Sequence, residues 1–78
     1  MKKRGYKLVL VKWQDACQHS GWMMLEDALT YHTSKCETVG WLLKKDKDEI
    51  ILTDTMSEEG VLSSLAIPRK WIESIEEI

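Results

Sequence analysis

The chain contains no phenylalanine, one proline and two cysteines in 78 residues. Two cysteines are too few for a disulfide framework and fit a compartment where thiols stay reduced. No apolar run approaches the ~20 residues of a membrane-spanning helix. The N-terminus MKKRGYKLVLVKW begins basic, but its apolar run from Leu8 to Val11 ends at Lys12, short of the ~7–15 apolar residues of a signal peptide. These absences predict a cytoplasmic protein without a membrane segment. Excess positive charge is missing too. A net charge of −2 and a pI near 5.6 argue against nucleic acid as the partner, because phosphate recognition concentrates Lys and Arg. No glycine-rich phosphate loop and no G-x-S-x-G motif is present, so no cofactor is expected.

What the chain does have is tryptophan, at Trp13, Trp22, Trp41 and Trp71. Large aromatics dominate both cores and binding hot spots. Residues 1–78 allow one domain with a small core, so some of these rings belong to the surface.

Periodicity gives a mainly β fold with one short helix. YKLVLVKW, 6 to 13, reads as a central strand because it is apolar on both faces at its middle. DACQHSG is a loop. In WMMLEDALTYHTSK, Trp22, Leu25 and Leu29 recur at helical spacing, which predicts a helix over 24–32. CETVGWLLKK, 36 to 45, is the second strand, with Gly40 marking a bulge or sharp bend. DKD is a turn, EIILTDTM, 49 to 56, the third strand, and VLSSLAI, 61 to 67, the fourth. The hairpin VGWLLKKDKDEIILTD is expected to place Leu43 and Ile51 in the core. IPRKWIESIEEI suits a 3₁₀ turn at Pro68 followed by a closing strand, with a helix as the other reading. One short helix cannot cover both faces of a flat sheet. A small curled antiparallel sheet or barrel of about five strands, with the helix between the first two, solves that problem.

Two resemblances follow. The pattern VGWLL…EIILTDT…IPRKWIESI resembles the later strands of Sm-like and Src-homology-type small β-barrels. VKWQDACQHSGWMMLEDAL, with the VGWLL strand and the IPRKWI tail, resembles small uncharacterised bacteriophage and prophage proteins. The matching residues are Trp13, Asp15, Gly21, Trp22, Gly40, Trp41, Ile67 and Pro68. That resemblance implies an accessory protein of the host cytoplasm and carries no catalytic motif.

The residues themselves offer little chemistry. Cys17, His19, His32 and Cys36 hold every cysteine and histidine of the chain, but C-x-H with H-x₃-C is not a standard zinc spacing. A small zinc module is therefore an alternative, and the plainer reading makes the cysteines packing residues. A Cys–His nucleophile lacks any recognisable oxyanion loop. Glu26–Asp27 and Glu58–Glu59 are sequence neighbours and do not converge as acid–base pairs must. Binding is the remaining class, with Trp22, Met23, Met24, Trp41 and Trp71 as candidate contacts to a host protein or a small molecule. An Sm-like RNA binder is the other alternative. The uncharged run VLSSLAI is a poor edge for a monomer, which predicts a homo-oligomer joined through that strand or the Trp22–Met24 surface.

Overall fold

Arg4 and Gly5 both take left-handed backbone, with φ of 54° and 82°. Such a pair closes a two-residue hairpin whose twist suits its strands. Lys2–Lys3 (β1) therefore folds back on Tyr6–Asp15 (β2), with Lys2 opposite Lys7. Residues 1–5, which precede the first strand read from the sequence, thus form a short hairpin with it. It is held further by an N–H bond from Leu8 to the Met1 carbonyl and by the Met1 ammonium on the Ile78 carbonyl.

The computed structural model describes residues 1–78. After β2 come one helical turn, Leu25–Ala28 (α1), then Ser34–Lys45 (β3), Glu49–Met56 (β4) and Val61–Pro68 (β5). A 3₁₀ turn at Arg69–Trp71 leads into Ile72–Glu77 (β6). The tail is thus a turn and a strand, with Pro68 entering the turn. All strands form one antiparallel sheet in the order β1-β2-β3-β4-β5, and β6 pairs with β2 on the edge that β1 also occupies. The sheet does not close into a barrel, because β5 pairs only with β4 and β6 only with β2.

The sheet curls nonetheless. Val9 and Val11 of β2 form one buried cluster with Ile50 and Leu52 of β4 and Ile67 of β5, although β3 separates β2 from β4 in the strand order. Trp13, Leu42, Ile72 and Ile75 pack around it. β3 makes this possible by serving two partners. Its residues 34–42 pair with β2, and from Trp41 onward it pairs with β4. Gly40 lies at the change-over and is buried, and a Cβ there would stand 2.9 Å from the Thr53 carbonyl oxygen. Gly40 therefore marks a close backbone approach. The bulge falls later, between Leu42 and Lys44, and leaves Leu43 outside the ladder.

That bulge corrects the expected core. Ile50 and Leu52 are buried, while Ile51 and Leu43 are only half-buried. The helix is corrected as well, to one turn in place of 24–32. It has no side-chain N-cap and buries none of its residues, and so short a helix has little stability without packing. Thr30 ends it by turning its hydroxyl onto the Asp27 carbonyl at 2.8 Å.

The β3–β4 turn is built by Asp46. Its carboxylate accepts the N–H groups of Asp48 (2.8 Å) and Glu49 (2.9 Å), and Lys44 Nζ lies 3.2 Å away. The bonds from Glu49 and Asp48, then Lys44, hold the carboxyl below its ordinary value of 3.8. A carboxyl depressed on folding stabilises above its unfolded pKa, and that contribution disappears as pH falls through the folded value. Asp46→Asn should therefore flatten the acid limb of the stability–pH curve below about pH 4, read by urea denaturation. An unchanged limb would show that the turn does not use the charge.

At Gly40 the added methyl of Gly40→Ala meets backbone, which cannot swing aside. Overpacking of this kind costs about 1–3 kcal/mol. Gly60→Ala, with nothing within 4 Å of the new Cβ, should cost under about 0.5 kcal/mol. Equal melting temperatures for the two variants would refute the close approach.

Candidate functional site

The β2–β3 pairing runs past the core. β6 leaves β2 at the Trp13–Ile72 pair, yet β2 and β3 stay paired to Asp15 and Ser34. Residues 14–35 thus form a projecting arm. The chain measures 50 × 23 × 21 Å with a radius of gyration of 15.9 Å, against about 11.5 Å for a compact chain of this length. Gln14 ties the arm's root, bonding Glu73 of β6 and accepting the Thr33 hydroxyl at 2.8 Å. Just inside the root, Trp13 Nε1 donates to Thr38 Oγ1 at 2.9 Å, which fixes the indole between β2 and β3.

The tip is organised by short-range bonds. Gly21 takes φ 117°, a conformation open to glycine, and swings Trp22 outward. The N–H groups of Ala28 and Leu29 donate to Met24 and Leu25, both at 3.0 Å. Cys17 Sγ donates to Tyr31 Oη at 3.3 Å and clips the two sides of the loop together. The neighbouring Cys17 sulfur, accepting from the phenol once the thiol is ionised, then burial and the charge of Cys17, raise the Tyr31 phenol above its ordinary 10.0.

The resulting surface is apolar. Trp22 is 101 % exposed, Leu29 77 %, Leu25 73 % and Met24 66 %, with Tyr31 beside them at 44 %. Met23 is half-buried and, with Cys17, His19, Ala28 and Tyr31, lines a shallow hollow of about 280 Å³. The charges around it have one sign. Between Lys12 and Lys35 there is no Lys or Arg, only Asp15, Glu26 and Asp27.

The structure divides the expected contact residues. Trp22, Met23 and Met24 share the tip. Trp71, 42 % exposed, lies at the arm's root beside Gln14, Asp15, Ala16 and Thr33, over an open cleft of about 400 Å³. Trp41 is half-buried within the sheet, opposite Leu8 and Thr53. Leu25, Leu29 and Tyr31 complete the tip; the leucines were missed because an i, i+4 leucine stripe normally marks a core face, and no pattern singled out Tyr31. The signal against that reading was the run Trp22–Leu25, too many successive bulky residues for one helix face.

The cysteines and histidines are not gathered. Cys17 meets Tyr31, Cys36 Sγ lies 3.7 Å from the Ser34 carbonyl, and His32 Nδ1 is 2.9 Å from the Thr33 carbonyl. Nowhere do three His, Cys, Asp or Glu side chains converge at metal-binding distance. No helix is long and apolar enough to cross a membrane.

Comparison with protein-family models, with curated proteins and with solved structures found no match.

Since Trp22 contacts nothing within the chain, Trp22→Ala should change unfolding free energy by under about 0.5 kcal/mol. It should also remove the most red-shifted, most easily quenched part of the tryptophan emission. Trp13→Ala, which opens the packing beside Val11 and frees the Thr38 hydroxyl, should cost about 3–5 kcal/mol. Comparable losses from both would place Trp22 against the body of the protein.

Proposed function

We propose that the chain is a non-enzymatic binding module whose arm presents Trp22, Met24, Leu25, Leu29 and Tyr31 to a partner protein. The supporting observation is Trp22, fully exposed at the end of an arm that adds nothing to the core. An apolar surface of this extent, carried by an aromatic residue and methionines, is characteristic of docking elements. Its carboxylates select the partner's chemistry, namely an apolar groove rimmed by Lys and Arg. In line with the phage resemblance, the partner is a host protein and the site of action the host cytoplasm. The RNA-binding alternative has less support, because the aromatics of the tip, Trp22 and Tyr31, have only carboxylates as charged neighbours in the arm.

Capture of a small molecule is a second reading, favoured by the cleft under Trp71. Its lining offers Lys70, Glu73, Asp15 and the indole, a mixed set suited to a polar ring compound.

Immobilised wild-type chain and Trp22→Ala should be compared in bacterial lysate at physiological salt. Loss of a hot-spot tryptophan costs about 2 kcal/mol or more, so retention of the specific partner should fall at least ~30-fold. Trp71→Ala should leave it unchanged. The same proteins retained equally by wild type and Trp22→Ala would overturn the tip, and loss only with Trp71→Ala would move the site to the root cleft.

A further inference from the structure

The sheet has several free edges, and all but one carry charge. β1 presents Lys2 and Lys3, the outer edge of β3 carries Lys35 and Glu37, and β6 carries Glu73, Glu76 and Glu77. Charged side chains of this kind keep edge strands from pairing with other chains. β5, the last strand in the order, pairs only with β4 and has no charge from Val61 to Pro68.

We propose that β5 pairs antiparallel with β5 of a second copy about a two-fold axis, joining two sheets into one. The residues flanking the strand set the direction. Glu58 and Glu59 precede it, and Arg69 and Lys70 follow it. Antiparallel pairing sets the acidic end of each strand beside the basic end of the other, whereas parallel pairing stacks like charges. Such an isologous arrangement is the commonest closed assembly.

Apolar surface and area agree. Val61 is 47 % exposed, Leu62 65 % and Leu65 39 %. Beside them Val39, Leu52 and Leu65 line a cleft of about 210 Å³ that is open to a side chain from the second strand. The accessible surface is 6102 Å², against about 4,900 Å² for a compact monomer of this mass. The difference exceeds the ~800 Å² that each partner contributes to a standard interface. Because β5 and the arm are separate, the inference does not depend on the tip's role.

Sedimentation equilibrium across a tenfold range of micromolar concentration should give twice the 9.1 kDa chain mass. Ser64→Lys should return it to a single chain with its sheet circular dichroism retained, and Trp22→Ala should leave it dimeric. Lys70→Glu should weaken association about tenfold, and Glu59→Lys in the same chain should restore it. In a background lacking Cys17 and Cys36, single cysteines at Ser63, Ser64 and Leu65 place a thiol on or next to the axis. One of them should cross-link to its own copy under mild oxidation, which holds the test open should Ser64→Lys fail to fold. A mass fixed at one chain, a larger ring, a dimer dissolved by Trp22→Ala alone, or no cross-link at any of the three positions would overturn the proposal.

Discussion

At Gly40 the backbone of β3 comes so near that of β4 that a methyl group would sit 2.9 Å from the Thr53 carbonyl oxygen. This approach lets one sheet supply both walls of its own core. β2 and β4 are not neighbours in the strand order, and a flat sheet would keep Val9 and Val11 away from Ile50 and Leu52. Curling at Gly40 brings them together with Ile67. Thr53 extends the dependence to β5. It is buried, and its hydroxyl donates to the Leu62 carbonyl at 2.8 Å, so the residue that contacts Gly40 also holds the next strand. Ser63, beside that bond, takes φ 60° and drops out of the β4 ladder, where Leu62 and Ser64 both stay paired.

A core limited to Val9, Val11, Ile50, Leu52 and Ile67 cannot support a long extension, and the arm is built without its help. Its bonds are local: one helical turn, the Cys17–Tyr31 contact and the Gln14 tie at the root. Segments with few buried contacts open at lower free energy than the body that carries them. In the proposed docking the arm would thus reshape against a partner while the curled sheet stays intact. Binding that orders such a segment loses conformational entropy, and a rigid indole keeps that loss small for the area it covers.

Much of the strand pattern was legible because strands announce themselves locally. EIILTDTM is bounded by the DKD and SEEG turns, and β4 spans those residues, Glu49–Met56. Pro68 signalled the 3₁₀ turn for an equally local reason, since its fixed φ suits the entry to a helical turn. Facing was less legible. EIIL is apolar at both parities, so alternation alone cannot choose between Ile50 and Ile51, and the bulge after Leu42 shifts the ladder by one residue. The helix was overextended because the stripe Leu25–Leu29 has helical spacing whether or not a surface exists to bury it. Whether the sheet closes depends on pairing between β5 and β6, a long-range outcome that no local pattern records. The tip set was half visible: Trp22–Met24 stood out as a bulky run, while Leu25 and Leu29 looked like a core stripe until the absence of a facing element exposed them, and nothing in the pattern singled out Tyr31.

The two surfaces proposed for binding lie on different strands, and that separation has a mechanical consequence. The arm grows from β2 and β3, whereas β5 stands at the far end of the strand order. A second copy paired along β5 therefore extends the sheet without covering either tip. The proposed dimer would then carry two acidic, apolar tips whose spacing is fixed by a hydrogen-bonded sheet. Rigid linkage of this sort raises avidity only for a target whose sites match the spacing, and it penalises a target offering a single groove with no gain. The uncharged edge and the exposed tryptophan thus act on different properties. In the proposed assembly the tip would determine which groove is recognised, and the edge would determine whether recognition favours a partner that presents that groove twice.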